Sequence, residues 1–231
     1  MKSLLAASAI AAGLLFAQPA LANLVLDPGF ETPVVPVGGF TTFNTGTALG
    51  SWTVVGAAGN VAPVSGTFQQ NGFSFVAQEG AQWLDLTGLN SNSATGVQQT
   101  IATTPGTSYD LSFWVGNVVN TGGIFGTTST VNVLVNGSQV FSATNSGGVG
   151  SSSQTWQQFT TSFVAGGAST NLAFLNGDPG TDNDNGLDGV NLVVGGTAVV
   201  PEPSAWALLI AGFGGMGLVL RRARSQRRLA V

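Results

Sequence analysis

Hydrophobic and polar residues alternate with a period of two along much of the chain. In SYDLSFWV, residues 108–115, the side chains of Tyr109, Leu111, Phe113 and Val115 fall on one side, and Trp114 falls with the polar residues on the other. A period of two matches a β-strand that buries one face, whereas an amphipathic helix repeats about every 3.6 residues. The pattern therefore predicts half-buried strands.

A hairpin and several further strands complete the predicted set. In TVNVLVNGSQVFSA, the dipeptide Asn136-Gly137 separates two runs of alternating residues, which is typical of a tight hairpin turn. Residues 34–47 and 121–128 are predicted to be long loops. The other predicted strands are residues 24–26, 52–55, 82–86, 96–101, 156–163, 170–175 and 190–194.

This set predicts an all-β domain over residues 23–196. About nine or ten short strands between Gly, Asn, Ser and Pro turns are typical of one antiparallel β-sandwich, and a jelly roll is the expected arrangement. Between the two chain ends, no segment of the sequence combines helical periodicity with a charged face.

The N-terminal residues 1–22 have the layout of a secretory signal peptide. Lys2 precedes an apolar run over residues 4–16, Pro19 follows it, and small residues stand at Ala20 and Ala22. This order predicts cleavage after Ala22 and export of the remaining chain. The alternative is an N-terminal membrane anchor, for which the apolar run is short.

The C-terminal region contains a second apolar segment. Residues 205–220 carry no charge, Glu202 precedes them, and Arg221 and Arg222 begin an Arg-rich end at residues 221–231. As a transmembrane helix the segment would be about 24 Å long, slightly shorter than a hydrocarbon core of about 30 Å. The Arg residues would keep the C-terminus in the cytoplasm and place the preceding domain across the membrane.

The motif Pro201-Glu202-Pro203, the apolar segment and the Arg-rich end resemble, in this order, the PEP-CTERM sorting signal of Gram-negative bacteria that make exopolysaccharide. The resemblance implies that an exosortase, a membrane-embedded cysteine protease or transpeptidase, recognises and processes residues 197–231. It also implies transient residence in the inner membrane and delivery to the cell surface or extracellular matrix. The alternative is a plain C-terminal anchor.

Charge and residue types exclude several function classes. No Lys, Arg or His lies between Ser3 and Leu220, whereas all ten Asp and Glu residues lie there. Because nothing in this interval can neutralise phosphate, nucleic acid is not an expected partner. Without Cys and His, the chain also has no disulfide, thiolate, Ser–His pair or zinc cage. Only a carboxylate pair of the glycosidase kind remains, such as Glu79 with Asp85, and we predict a protein that is not an enzyme.

Seven segments of residues 23–195 follow one another as they do in galactose-binding-like jelly rolls, a group that includes carbohydrate-binding modules and choice-of-anchor domains. In chain order they are NLVLDPGFE, LGSWTVVG, QWLDLTG, GVQQTIATTPGTSYDLSFWVGN, VNVLVNG, WQQFTTSFVA and GLDGVNLV. The resemblance implies a β-sandwich, often with a structural calcium ion and frequently with a sugar or polysaccharide ligand.

The acidic segment GDPGTDNDNGLDG predicts calcium binding. It supplies Asp178, Asp182, Asp184 and Asp188, and oxygen ligands on a Gly-containing turn suit Ca²⁺. The resemblance implies that the Glu of the opening GFE, here Glu31, shares a structural calcium ion with Asp188. The neighbouring Asp residues would complete that site or form a second one. The alternative is an acidic turn exposed to water.

A sugar site needs a flat aromatic face with polar side chains around it. Trp83 and Trp114 each lie on the strand face opposite to their apolar neighbours, so either is a candidate platform. Gln82, Asp85 and Asn117 are the expected polar partners. The alternative is that both Trp side chains belong to the core.

Together these features predict an exported, non-catalytic protein of the cell surface or of an exopolysaccharide matrix, such as that of a biofilm, which binds polysaccharide through a calcium-stabilised jelly roll. A structural or adhesive matrix protein without a defined sugar ligand is the alternative, and a glycan hydrolase is the third hypothesis.

Overall fold

The computed structural model describes residues 22–89, 94–178 and 184–196 of the chain. Strands account for its regular structure, as the period-two pattern predicts. In chain order they are β1 Phe43–Asn44, β2 Ala48–Leu49, β3 Trp52–Gly56, β4 Asn60–Ser65, β5 Phe68–Gln70, β6 Phe73–Phe75, β7 Gln82–Asp85, β8 Thr95–Ala102, β9 Ser108–Asn117, β10 Ser129–Val135, β11 Ser138–Asn145, β12 Thr155–Val164, β13 Ser169–Asn176 and β14 Gly186–Val194.

Two six-stranded sheets pack face to face. Sheet A has the order β1-β4-β7-β14-β9-β12, and sheet B has the order β11-β10-β13-β8-β3-β2. The ladders between these strands are antiparallel, and β5 and β6 form a separate small hairpin. The predicted antiparallel β-sandwich is confirmed.

The main core fills the space between the sheets. Phe113 of β9 and Phe174 of β13 meet with ring centroids 5.2 Å apart, and Trp52 of β3 lies 6.0 Å from Phe174. Burying one such aromatic side chain contributes roughly 1.5–3 kcal/mol. The alternation in β9 is as predicted, since Trp114 lies on the outer face of sheet A while the inward-facing residues join the core, namely Tyr109, Leu111, Phe113 and Val115.

A second, smaller hydrophobic cluster covers part of the outer face of sheet A. Trp83 of β7 stacks with Phe75 of the β5–β6 hairpin at a centroid distance of 6.2 Å, and Phe125 lies 5.1 Å from Phe75. Strand β7 is consequently buried on both faces. Leu84 points into the main core, whereas Trp83 and Asp85 point into the space beneath the hairpin.

Most predicted strands are present with shifted ends. The turn of the β10–β11 hairpin has φ values of 50° at Asn136 and 81° at Gly137, as a type I′ turn requires. Residues 121–128 form no strand, as expected. In contrast, the predicted strand at residues 24–26 is wrong. The Asn23 carboxamide takes the place of ladder partners there, since its Oδ1 accepts the Leu192 N–H at 3.0 Å.

Five strands were not predicted, namely β1, β2, β4, β5 and β6, and β1 lies within residues 34–47, which were expected to be a loop. Pro63 lies inside β4, and proline usually argues against a strand between two neighbours because it has no N–H to donate. The short strands β5 and β6 also lack a clear alternation. Among the described residues, no helix is long and apolar enough to cross a bilayer. Of the residues at the predicted signal peptide cleavage site, Ala22 is described and Ala20 lies outside the described residues. The predicted span at residues 205–220 also lies outside them.

Candidate functional site

Residues 76–81 form a strap across the outer face of sheet A. The indole N–H of Trp156 donates to the Val76 carbonyl at 2.9 Å. Further along the strap, the backbone N–H groups of Gln78 and Glu79 donate to Oδ2 of Asp188 at 3.0 and 3.2 Å. The strap divides the outer face of sheet A into a half covered by the second hydrophobic cluster and an uncovered half.

Three acidic side chains lie close to Gly29, where the strap crosses β14. A Cβ atom placed on Gly29 would lie 3.5 Å from Oε1 of Glu79, 3.6 Å from Oδ1 of Asp188 and 3.8 Å from Cγ of Glu31. Oε1 of Glu31 accepts the backbone N–H groups of Ala81 and Gln82 at 2.8 and 3.0 Å. We call Glu31, Glu79 and Asp188 the carboxylate cluster.

Asp188 is the buried member of this cluster. Burial raises its pKa to about 7, although backbone N–H groups of Glu79, Gly189 and Gln78 oppose the rise, and the charge of Glu79 adds to it. Next to it, the buried Oε1 of Gln78 has no hydrogen-bond partner among the described residues. A Cβ atom placed on Gly189 would lie 3.1 Å from this oxygen. The cluster thus holds oxygen atoms without a basic partner.

The other predicted calcium ligands lie elsewhere. Oδ2 of Asp184 accepts the Val118 N–H at 2.6 Å, and Oδ1 of Asp178 accepts the Thr130 N–H. An extended chain separates Asp184 from Asp188 by about 13 Å, so one ion cannot bind both. Asp182 lies outside the described residues. Within the part of the chain that the structure describes, no group of three acidic side chains is arranged to hold a metal ion.

A cleft of about 130 Å³ opens beneath the β5–β6 hairpin in the covered half. Its walls are mostly apolar and aromatic, and its polar side chains include the carboxyl groups of Asp85 and Asp184. Its aromatic lining residues are Phe40, Phe68, Phe75, Trp83 and Phe125. Trp83 is only 1% exposed, and its indole N–H donates to the Phe75 carbonyl at 3.1 Å, so it forms a wall of the cleft and not an open platform.

Asp85 is buried in this cleft, with no basic residue in the domain. Its Oδ1 accepts the Thr87 N–H at 2.8 Å and the Thr87 hydroxyl at 2.6 Å. Burial raises its pKa to about 7, and the donors from Thr87, Asn185 and Gly88 only partly offset that rise. The carboxyl group therefore changes charge near neutral pH.

The uncovered half of sheet A presents a polar surface next to a half-buried tryptophan. On β9 and its neighbours, Trp114 faces Gln158, and Ser112 faces both Thr160 and Asn191. A shallow depression of about 500 Å³ follows these strands beyond Trp114. We call this surface the open face; its outward-facing residues are Asp110, Ser112, Trp114, Gln158, Thr160, Ser162, Asn191 and Val193.

Two of the predicted sugar contacts are interior residues. Gln82 is 2% exposed; its Oε1 accepts the Val35 N–H, and its Nε2 donates to the carbonyls of Phe30 and Pro33. Asn117 is fully buried, and its amide joins Ser129 to Gly148. Because both amides are buried and bound to interior partners, they hold loops in place, which corrects the expectation that they border an exposed platform.

The structure also separates the predicted carboxylate pair. Glu79 belongs to the carboxylate cluster on the strap, whereas Asp85 shares the cleft with Asp184. Sequence reasoning missed the association of Glu79 with Asp188 and the aromatic walls of the cleft. Neither has a local signal in the sequence, because Glu79 and Asp188 are 109 positions apart.

Comparison with known proteins adds the family. Residues 23–188 match the family described as "Protein of unknown function (DUF642)". The chain belongs to the DUF642 family. Residues 199–224 match the PEP-CTERM protein-sorting motif, and they contain the predicted motif residues Pro201, Glu202, Pro203, Arg221 and Arg222. The predicted sorting signal is confirmed, and it indicates an exported protein that an exosortase processes at the membrane. No curated protein matched the chain.

The fold of the DUF642 domain is shared by a solved structure, and further structures resemble it less. A cyclase from Fischerella sp. TAU matches with a TM-score of 0.52 and 18% identity, over 75% of this chain and 96% of that chain. The CBM22-1 xylan-binding domain of Paenibacillus barcinonensis Xyn10C matches with a TM-score of 0.40 and 17% identity, over 69% and 97% of the two chains. TmCBM61 in complex with beta-1,4-galactotriose matches with a TM-score of 0.41 and 14% identity, over 75% of this chain and 99% of that chain.

Proposed function

We propose that this DUF642 chain is a non-catalytic, polysaccharide-binding protein of the cell surface or exopolysaccharide matrix of a Gram-negative bacterium. In this proposal the C-terminal sorting signal directs the protein to its destination, and the open face of sheet A binds the glycan. The sorting motif supports the destination, because its residues match the PEP-CTERM signal. The absence of Cys, His and Lys from residues 23–231 supports a binding role, since the common nucleophiles and bases other than carboxylates are missing.

The observation that carries the proposal is Trp114 on the open face. Gln158 lies opposite Trp114 on the neighbouring strand and offers its amide group. The hydroxyl groups of Ser112 and Thr160 follow along the same face. An aromatic ring packs against the apolar face of a sugar, while amide and hydroxyl groups exchange hydrogen bonds with the sugar hydroxyls. A row of such groups along three strands suits an extended chain better than a single small molecule.

A structural calcium ion is the second part of the proposal. Glu31, Glu79 and Asp188 would hold it, and Oε1 of Gln78 is a further oxygen beside them. The donors are of the type that a hard cation takes, namely carboxylate and amide oxygens, and binding would draw the three side chains closer together. Bound there, the ion would offset the charge of buried Asp188 and tie the strap to β14. Of the acidic segment, this proposed site takes only Asp188, together with Glu31 and Glu79 from elsewhere in the chain.

The experiment is retention of the full chain on immobilised polysaccharides, including the exopolysaccharide of its own host. Trp114→Ala should abolish retention, and Trp114→Phe should retain part of it, since Phe keeps an aromatic face. Melting temperatures of both variants show whether the fold is intact. Absence of retention on every glycan for the unchanged protein would reject polysaccharide binding and favour the structural or adhesive alternative.

A further inference from the structure

The cleft beneath the β5–β6 hairpin has a composition that differs from that of the open face. Apolar and aromatic side chains make most of its wall, and the ring centroids of Phe68 and Phe75 are 5.5 Å apart. The open face, on the other side of the strap, offers mainly hydroxyl and amide groups. The two surfaces therefore suit different ligands.

The mouth of the cleft is apolar as well. Phe40, Leu89 and Ile124 are 39%, 52% and 42% exposed, and all three line the cleft. Exposed large apolar side chains that surround one concavity mark an interaction site, whereas single scattered ones do not. Polarity therefore increases from the mouth toward Asp85 and Asp184, which are 9% and 1% exposed.

Several hydrogen-bond donors point at the carboxyl group of Asp85. The N–H and hydroxyl groups of Thr87 donate to one carboxylate oxygen, and backbone N–H groups of Asn185 and Gly88 also contribute. Donors of this kind stabilise the ionised form, yet burial outweighs them and raises the pKa to about 7. Asp184 is the other titratable side chain that lines the cleft, and it is acidic too. No Lys, Arg or His is among the described residues that line the cleft, so a positive charge would have to come from a ligand.

We propose that the cleft binds an organic ammonium ion, with the cationic group against the carboxylate of Asp85, the charge of Asp184 behind it, and the apolar part against Phe40, Phe68 and Phe125. The aromatic rings give the hydrocarbon part of the ligand an apolar wall, and their negative faces also attract a cation that lies over them. The proposal goes beyond polysaccharide binding and does not depend on it.

Size and ligand chemistry favour this occupant over a metal ion. A cavity of about 150 Å³ holds a benzene ring, so a cleft of about 130 Å³ can take a small aryl or alkyl amine. A hard metal ion would need about six oxygen ligands. The cleft supplies carboxylates on one side and hydrocarbon on the other.

The test compares a cation with its neutral counterpart by isothermal titration calorimetry on the full chain. Benzylammonium should bind about ten times more tightly than benzyl alcohol, the usual gain from a hydrogen bond to a charged group. Asp85→Asn should remove that preference while leaving the affinity for benzyl alcohol unchanged. Retained benzyl alcohol binding shows that the variant is folded.

A second variant tests the wall without touching a buried polar group. Phe40→Ala, at the exposed rim, should weaken benzylammonium binding about two- to fivefold, because part of the apolar contact with the ligand is lost. Equal affinities for the cation and the alcohol, or no binding of either, would overturn the proposal. Excess Ca²⁺ should not displace benzylammonium from the cleft, and displacement would overturn it as well. Competition by glucosamine oligomers would identify amino sugars of a polymer as the source of the amine, and its absence would identify a free small amine.

Discussion

Trp114 and Asp188 lie directly opposite each other in the ladder between β9 and β14. Both side chains lie on the outer face of sheet A, but Asp188 is fully buried beneath the strap while Trp114 is half-buried beside it. Gly189 contributes to this contact, because it has a φ of 55° and a Cβ atom there would lie 2.9 Å from Cδ1 of Trp114. The proposed metal site and the proposed sugar platform are therefore neighbours across one strand pair.

Two adjacent glutamines of β12 test the open face with the same substitution. Gln158 pairs with Trp114 and points outward, whereas Gln157 pairs with Val115 and belongs to the inner side. Gln158→Ala should weaken retention on the bound polysaccharide roughly 3- to 30-fold, because one or two net hydrogen bonds are lost. Affinity electrophoresis against the retained glycan measures the change.

Gln157→Ala is the matched control, since both glutamines are exposed residues of the edge strand. It should bind as the unchanged protein does. If both variants lost affinity equally, the edge of the sheet and not its open face would be the binding surface.

Calcium binding at the carboxylate cluster has a thermal signature. With free Ca²⁺ at about 100 times its dissociation constant, a single site adds about 2.7 kcal/mol, or roughly 5–10 °C in melting temperature for a domain of this size. Glu79→Gln should remove most of this rise, because one charged ligand is lost. Differential scanning calorimetry with Ca²⁺ and with EDTA measures it.

Asp110→Asn provides the control for that variant. Asp110 is an exposed carboxylate on the same face of sheet A but outside the cluster, so the response to Ca²⁺ should stay complete. A melting temperature of the unchanged protein that is identical in Ca²⁺ and in EDTA would contradict the calcium proposal.

The fold could be predicted from the sequence because its main determinants are local. The alternation in β9 and the Asn136-Gly137 turn each depend on only a few consecutive residues, and both are as predicted. Strand β4 was missed since Pro63 carries a local signal against strands, which the neighbouring strands override. At residues 24–26 the error is the opposite one. The sequence predicts a strand there, but the side chain of Asn23 replaces the expected ladder.

The site was less predictable, because it depends on residues far apart in the chain. The sequence identified Asp188 and Glu31 through a family resemblance, but the nearest acidic residues along the chain, Asp184 and Asp178, lie elsewhere. Trp83 shows the same limit. Its strand pattern places it on the outer face, and only the distant β5–β6 hairpin buries it.

Gly116 should be intolerant of even one added carbon atom. Its Cβ would lie 2.2 Å from Nε2 of Gln154 and 2.9 Å from the Trp156 indole, which packs over this glycine and anchors the strap. We expect Gly116→Ala to destabilise the domain by about 1–3 kcal/mol through overpacking. Urea denaturation followed by tryptophan fluorescence measures the loss.

Gly166→Ala is the control for the same substitution, because no atom lies within 4 Å of a Cβ at that position. It should leave the free energy of unfolding within about 0.5 kcal/mol of the original. Equal stability of Gly116→Ala and Gly166→Ala would mean that the Trp156 indole moves aside at no cost.

Stability should fall as pH rises through the neutral range. An Asp side chain in the unfolded chain has a pKa of about 3.9, whereas burial raises the pKa of Asp85 to about 7 in the folded protein. Between these two values the folded state holds a proton that the unfolded state has released, so each rise in pH favours unfolding by up to about 1.4 kcal/mol per unit for this group. Asp188 contributes in the same direction.

The decline should therefore begin near pH 4 and level off above pH 7, and urea denaturation in EDTA at pH 5 and pH 8 measures it. Asp85→Asn should reduce the difference between the two pH values, since one of the two carboxyl groups whose pKa burial raises to about 7 no longer titrates. Thr87→Val should enlarge it, because it removes the hydroxyl that donates to Oδ1 of Asp85 at 2.6 Å and stabilises the ionised form. A pH slope that neither variant changes would mean that Asp85 does not titrate in this range.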